Sequence, residues 1–119
     1  QIRFEAAGDL TVAHSAANGN RGFGDGDDGF EIDMYDGSVT MTDTTANDNG
    51  ADGIAIDGAP GAVRIVAVTL TRVTASGNGI VGSTPGDHDG IDIANVRSDA
   101  GATRFPLGNV SILATAARN

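Results

Sequence analysis

The feature that most limits the fold of this chain is a gapless internal repeat. Four segments align position for position: DLTVAHSAANGN (9–20), SVTMTDTTANDN (38–49), AVTLTRVTASGN (67–78) and NVSILATAARN (109–119). From Leu10 to Val39 is 29 positions, from Val39 to Val68 is again 29, and from Val68 to Val110 is 42. Each segment opens with two apolar residues around one hydroxyl residue: Leu10/Val12 around Thr11, Val39/Met41 around Thr40, Val68/Leu70 around Thr69, and Val110/Ile112 around Ser111. An alanine follows at a fixed offset (Ala17, Ala46, Ala75, Ala117), and Asn20, Asn49 and Asn78 close the first three copies.

A second block follows each of the first three copies, as Asp28-GFEI, Asp52-GIAI and Asp89-GIDI, with Phe30/Ile32, Ile54/Ile56 and Ile91/Ile93 pointing one way. A third, looser block reads as Ile2-Arg3-Phe4, Val63-Arg64-Ile65 and Thr103-Arg104-Phe105, with no counterpart between Met34 and Ser38. Strands this short do not stand alone, so repeat must stack upon repeat, apolar side chains inside and polar ones outside. Composition agrees: 18 glycines, no lysine, only two glutamates, and abundant Thr, Val, Ile, Asn and Asp favour short strands and tight turns. The expectation is an all-β parallel solenoid of three strands per coil.

The segments VTMTDTTANDNGADGIAI and VTLTRVTASGN followed by DHDGIDI resemble the right-handed parallel β-helix repeats of pectate-lyase-like proteins and alginate-epimerase-like modules. The resemblance covers nearly the whole chain. It implies one right-handed, single-stranded parallel β-helix domain over residues 1–119, of about three and a half coils. The fourth coil stops before a D-G-I-x-I block and no capping helix flanks the repeats, so the expectation is uncapped ends. That describes a segment of a longer solenoid or a unit stacking head to tail on itself.

Asn20, Asn49 and Asn78 fall at one corner, where stacked amides are expected to bond each other and the turn backbone, and where Asn tolerates a left-handed conformation. Asp28, Asp52 and Asp89 would stack one strand spacing apart, so their repulsion must be offset by turn N–H groups, an arginine or a cation. Their glycines (Gly29, Gly53, Gly90) suggest a bend capped by the Asp side chain. Calcium is the rival reading, with Asp25, Asp27, Asp28, Asp48, Asp52 and Asp89 as candidate oxygen ligands. Within that set Gly24–Phe30 fits one copy of the calcium-binding β-roll nonapeptide. Without cysteine, and with only His14 and His88, a zinc site is not expected.

The insertion GIVGSTPGDHDG (79–90) brings Asp87, His88 and Asp89 together, which an enzyme would use as metal or acid–base carboxylates around a proton carrier. The D-P-H-E signature of the epimerase-like modules is absent, and a surface loop accounts for the three residues. Arg3, Arg64 and Arg104 share one outward position of the third block and are expected to pair with Glu31, Asp33, Asp57 or Asp92. Thr40-x-Thr42 and Thr69-x-Thr71 also match the pattern of ice-binding solenoids, interrupted at Ala13 and Leu113.

A net charge of −9 disfavours nucleic acid and anionic membrane, and no apolar run is long enough to span a bilayer. The first residue is Gln1 rather than Met, consistent with removal of an upstream segment. The resulting expectation is a non-catalytic structural or binding module of a secreted or cell-surface protein, calcium-stabilised and self-associating. The alternative is a fragment of a polysaccharide lyase or epimerase acting on acidic polysaccharide, with ice binding as a minor alternative.

Overall fold

The computed structural model describes residues 1–21, 27–58, 67–79 and 90–94, together with the backbone of 109–113 and 116–118. Nine strands form in chain order: β1 (Ile2–Ala7), β2 (Leu10–Ala13), β3 (Phe30–Asp36), β4 (Ser38–Thr45), β5 (Ile54–Gly58), β6 (Ala67–Ser76), β7 (Ile91–Ile93), β8 (Asn109–Leu113) and β9 (Ala116–Arg118). Among the described residues there is no helix. From β1 to β8, odd and even strands separate into two parallel sheets, ordered β1-β3-β5-β7 and β2-β4-β6-β8, and β9 joins the even sheet by pairing with β6.

The register of the even sheet follows the repeat. Leu10 pairs Val39, Val39 pairs Val68 and Val68 pairs Val110, while Val12, Met41, Leu70 and Ile112 form the next apolar column. In the odd sheet, Phe30, Ile54 and Ile91 form one column, and Ile32, Ile56 and Ile93 the other. Strict alternation turns both sets toward one core, in which Phe30, Ile32, Met34, Val39, Met41, Ile54, Ile56, Val68 and Leu70 are fully buried. Ala46 and Ala75 are fully buried as well, and Ala17 nearly so.

One assignment from sequence is corrected. Ile2-Arg3-Phe4 is not a third block: Ile2 pairs Phe30, Arg3 pairs Glu31 and Phe4 pairs Ile32, so it is the first rung of the odd sheet. Loop lengths differ so much between copies that pairing, rather than spacing, decides the column. The column of Arg3 continues through Glu31, Ala55 and Asp92, while Arg64, Arg104 and the other proposed members of that block lie outside the described residues. Arg3 does meet its expected partners, lying 2.7 Å from Asp33 and 3.6 Å from Glu31, with Glu5 at 3.2 Å.

A bend divides β4 and β6. The pairing runs Thr42↔Thr71 and resumes at Thr44↔Val73, skipping Asp43 and Arg72. Those two residues and His14, one copy earlier, adopt left-handed backbone, with φ of 49°, 51° and 50°. Past the bend, the Ser15 and Thr44 hydroxyls donate back to the Ala13 and Thr42 carbonyls, and the Thr42 carbonyl also accepts from His14 N one copy earlier.

A candidate functional site at the asparagine corner

The even strands lead into the corner at Asn18–Asn20, Asn47–Asn49 and Ser76–Asn78. Its tightest turn falls one residue before the predicted asparagines. Gly19 (φ 68°), Asp48 (φ 57°) and Gly77 (φ 66°) take the left-handed conformation, while Asn20, Asn49 and Asn78 do not. The asparagines are thus freed for side-chain bonding rather than selected for backbone shape.

Asn20, Asn49 and Asn78 form the expected ladder. Asn49 Oδ1 accepts from both the backbone N and Nδ2 of Asn20, at 3.0 and 2.8 Å. Asn78 Oδ1 accepts the same pair of donors from Asn49, each at 3.0 Å. The amide nitrogens also reach across the corner, Asn49 Nδ2 to the Ala17 carbonyl and Asn78 Nδ2 to the Ala46 carbonyl. Asn49 is fully buried and Asn78 is 4% exposed, so each amide works in low dielectric, where an unmatched group costs most.

A second ladder, not read from the sequence, runs beside it with opposite polarity. Asn18 Oδ1 accepts from Asn47 N at 2.7 Å, and Asn47 Oδ1 accepts from Ser76 N at 3.0 Å. Here the side-chain oxygen reaches the following copy, whereas in the first ladder it reaches the preceding one. Asn18, Asn47 and Ser76 share one repeat position, which was the available signal.

The glycine column lies at bends, as expected, and glycine is also required there for a second reason. A Cβ on Gly29 would lie 2.5 Å from the Gly53 carbonyl oxygen and 2.8 Å from Asn49 Nδ2; one on Gly53 would lie 2.4 Å from Asn78 Nδ2. These glycines leave room for the ladder amides and let successive backbones approach. Their carbonyls complete the odd sheet: Gly29, Gly53 and Gly90 accept from Ile2, Phe30 and Ile54.

Of the candidate calcium ligands, Asp25 and Asp89 lie outside the described residues. Asp28 Oδ1 accepts from Asp52 N at 2.9 Å, an offset of carboxylate charge by a turn N–H of the next copy. Asp27 is buried against Gly50, and Asp48 leans over Gly77. Among the described residues no three His, Asp or Glu side chains gather into a group able to hold a metal ion. The enzyme candidates Asp87, His88 and part of their insertion also lie outside the described residues.

The corner is bounded by two fixed columns with unequal loops between them. From Asn20 to Gly29 is nine positions, from Asn49 to Gly53 four, and from Asn78 to Gly90 twelve.

A charged column lies at the bend, also unread from the sequence. Arg72 Nε and Nη2 donate to Asp43 Oδ1 and Oδ2 at 2.5 and 2.7 Å, and His14 Nδ1 is 3.7 Å from Asp43 Oδ2. The hydrogen bond from Arg72 holds the Asp43 carboxyl below the usual carboxylate range, and the same bond raises the Arg72 guanidinium. Glu31, in the other charged cluster, is pushed up by burial against the pull of Arg3. The expected threonines stand in register beside the bend, Thr11-Thr40-Thr69 and Thr42-Thr71.

Comparison of the chain with family models, with curated proteins and with solved structures returns no match.

Proposed function

We propose that this chain is a non-catalytic structural or binding module of a secreted or cell-surface protein, built as a right-handed parallel β-helix. The observation that carries the reading is the use of the corner. The two asparagine ladders and the Asp28–Asp52 bond join each copy to the next through side chains, so the most chemically equipped region of the described structure is committed to stacking. A catalytic cleft would instead direct such groups toward a substrate.

The same chemistry supports association along the stacking direction. Parallel edges with matching columns template further strands, whether from the same protein or from a second copy. Calcium, if it stabilises the module, would bind in the Asp25–Asp28 loop, where hard oxygen donors are concentrated in sequence. The net charge of −9 suits a cation partner better than an anionic one.

Sizing across a range of concentrations, with calcium and with chelator, tests the reading. Growth of assemblies with concentration, or a melting temperature raised by calcium, is expected. A monomer unmoved by either would overturn both self-association and metal stabilisation. Eliminative cleavage of an acidic polysaccharide, lost in His88→Ala or Asp89→Ala, would overturn the non-catalytic reading in favour of a lyase.

A further inference from the structure

Three asparagines at the corner precede glycine: Asn18-Gly19, Asn49-Gly50 and Asn78-Gly79. We propose that these pairs are a fold-gated modification site. Spontaneous deamidation is held off while the corner is closed, and at Asn49 or Asn78 it bars the corner from closing again.

The chemistry needs only water. The glycine backbone nitrogen attacks the asparagine side-chain carbonyl carbon, a ring C–N bond forms, and the amide C–N bond breaks with loss of ammonia. Water then opens the cyclic imide at either carbonyl, leaving aspartate or its backbone-extended isomer. One water enters and one ammonia leaves, with no change of oxidation state. Glycine favours the attack because it has no side chain to obstruct it, and asparagine is accordingly among the thermolabile residues.

The closed corner restrains the attacking atom in all three pairs. Gly19 N donates to the Asn47 carbonyl at 2.8 Å and Gly50 N to the Asn20 carbonyl at 2.7 Å; Gly79 N is shared between the Asn49 and Ala51 carbonyls at 3.0 and 2.9 Å. At Asn49 and Asn78 the attacked amide is also buried and held by the ladder. Asn18 differs: it is exposed, and its Nδ2 makes only a 3.4 Å contact with Thr45 Oγ1.

The products differ as well. At position 18 the ladder uses the side-chain oxygen alone, and a carboxylate accepts from Asn47 N as an amide does. At position 49 the ladder uses Nδ2 as a donor to Ala17 O and Asn78 Oδ1. Replacing that nitrogen by oxygen sets acceptor against acceptor in a buried site and adds a charge there. The same replacement at position 78 opposes the Ala46 carbonyl.

The full chain is incubated at mildly alkaline pH, folded in one sample and in denaturant in the other, and each site is followed by peptide mass spectrometry. Isomerisation at the Asp-Gly pairs leaves mass unchanged and does not interfere. Conversion of Asn49 and Asn78 is expected to be at least about tenfold slower in the folded sample, since it requires opening. Asn18 is expected to be the fastest of the three in the folded sample. Equal rates at Asn49 in both samples would overturn the gating. Two variants with the same charge change test closure: Asn18→Asp should melt like wild type at neutral pH. Asn49→Asp should lose cooperative melting there and regain ground relative to wild type in acid, where its carboxyl becomes a donor. Asn49→Asp melting like Asn18→Asp at neutral pH would overturn the proposed block to reclosure.

Discussion

The asparagine corner and the charged bend lie on the same strands, and both stack one side chain per copy. Their settings differ. At the corner Asn49 is fully buried and its amide has donors and acceptors on the two neighbouring copies. At the bend the side chains of Arg72 and His14 are 59% and 79% exposed, and water competes with their pairing. A ladder of neutral amides in low dielectric can hold the stack together. A ladder of opposite charges in water mainly discourages misregister, because slipping by one copy changes which signs meet.

The comparison breaks most clearly at Gly53. Gly53→Ala would force a methyl within 2.4 Å of Asn78 Nδ2 and 2.5 Å of the Gly90 carbonyl. The backbone cannot give way cheaply, so a loss of about 3 kcal/mol or more is expected in urea unfolding. Asn49→Ala comes next. It leaves the Ala17 carbonyl and several ladder groups unmatched, for an expected loss of about 2–3 kcal/mol by the same measurement. Asn47→Ala removes one acceptor, that of Ser76 N, at a part-buried site. It should cost about 1 kcal/mol, and a cost equal to that of Asn49→Ala would erase the distinction between the two ladders.

Smaller effects are expected at the charged clusters. Arg72→Ala should move the melting temperature by no more than about 2 °C at neutral pH. The Asp43 carboxyl titrates below its unfolded-state value, so whatever it adds is present above that value, about pH 4, and is lost as pH falls through the lower folded value. A salt titration of wild type and variant should converge. Glu31 has the opposite sign. Its folded pKa is raised, so the wild type loses a little stability as pH rises from about 4 through that value. Glu31→Gln should therefore melt slightly higher than wild type at neutral pH, and the gain should fade in acid.

Much of the stacking was legible in the sequence because it rests on side-chain type at a fixed period. The columns Val39/Val68 and Ile54/Ile91, and the ladder Asn20/Asn49/Asn78, follow directly from the alignment. The bend was not legible, because His14, Asp43 and Arg72 share a backbone conformation rather than a chemistry. Ile2-Arg3-Phe4 was misplaced because only pairing distinguishes one short apolar–polar–apolar block from another. The bends at Gly29 and Gly53 were legible, but the close approach that also demands glycine there was not. What a glycine makes room for is a neighbour one copy away, invisible in its own segment.

The two fixed columns at the corner act as mounting posts. Because Asn49 and Gly53 sit where their counterparts do, although only residues 50–52 connect them, the scaffold accepts connections of very different length at one place. Residues 50–52 are thus the position at which a foreign loop can be grafted between the existing ones. Such a graft would leave the columns on either side of it, Asn20/Asn49/Asn78 and Gly29/Gly53/Gly90, as an unchanged frame.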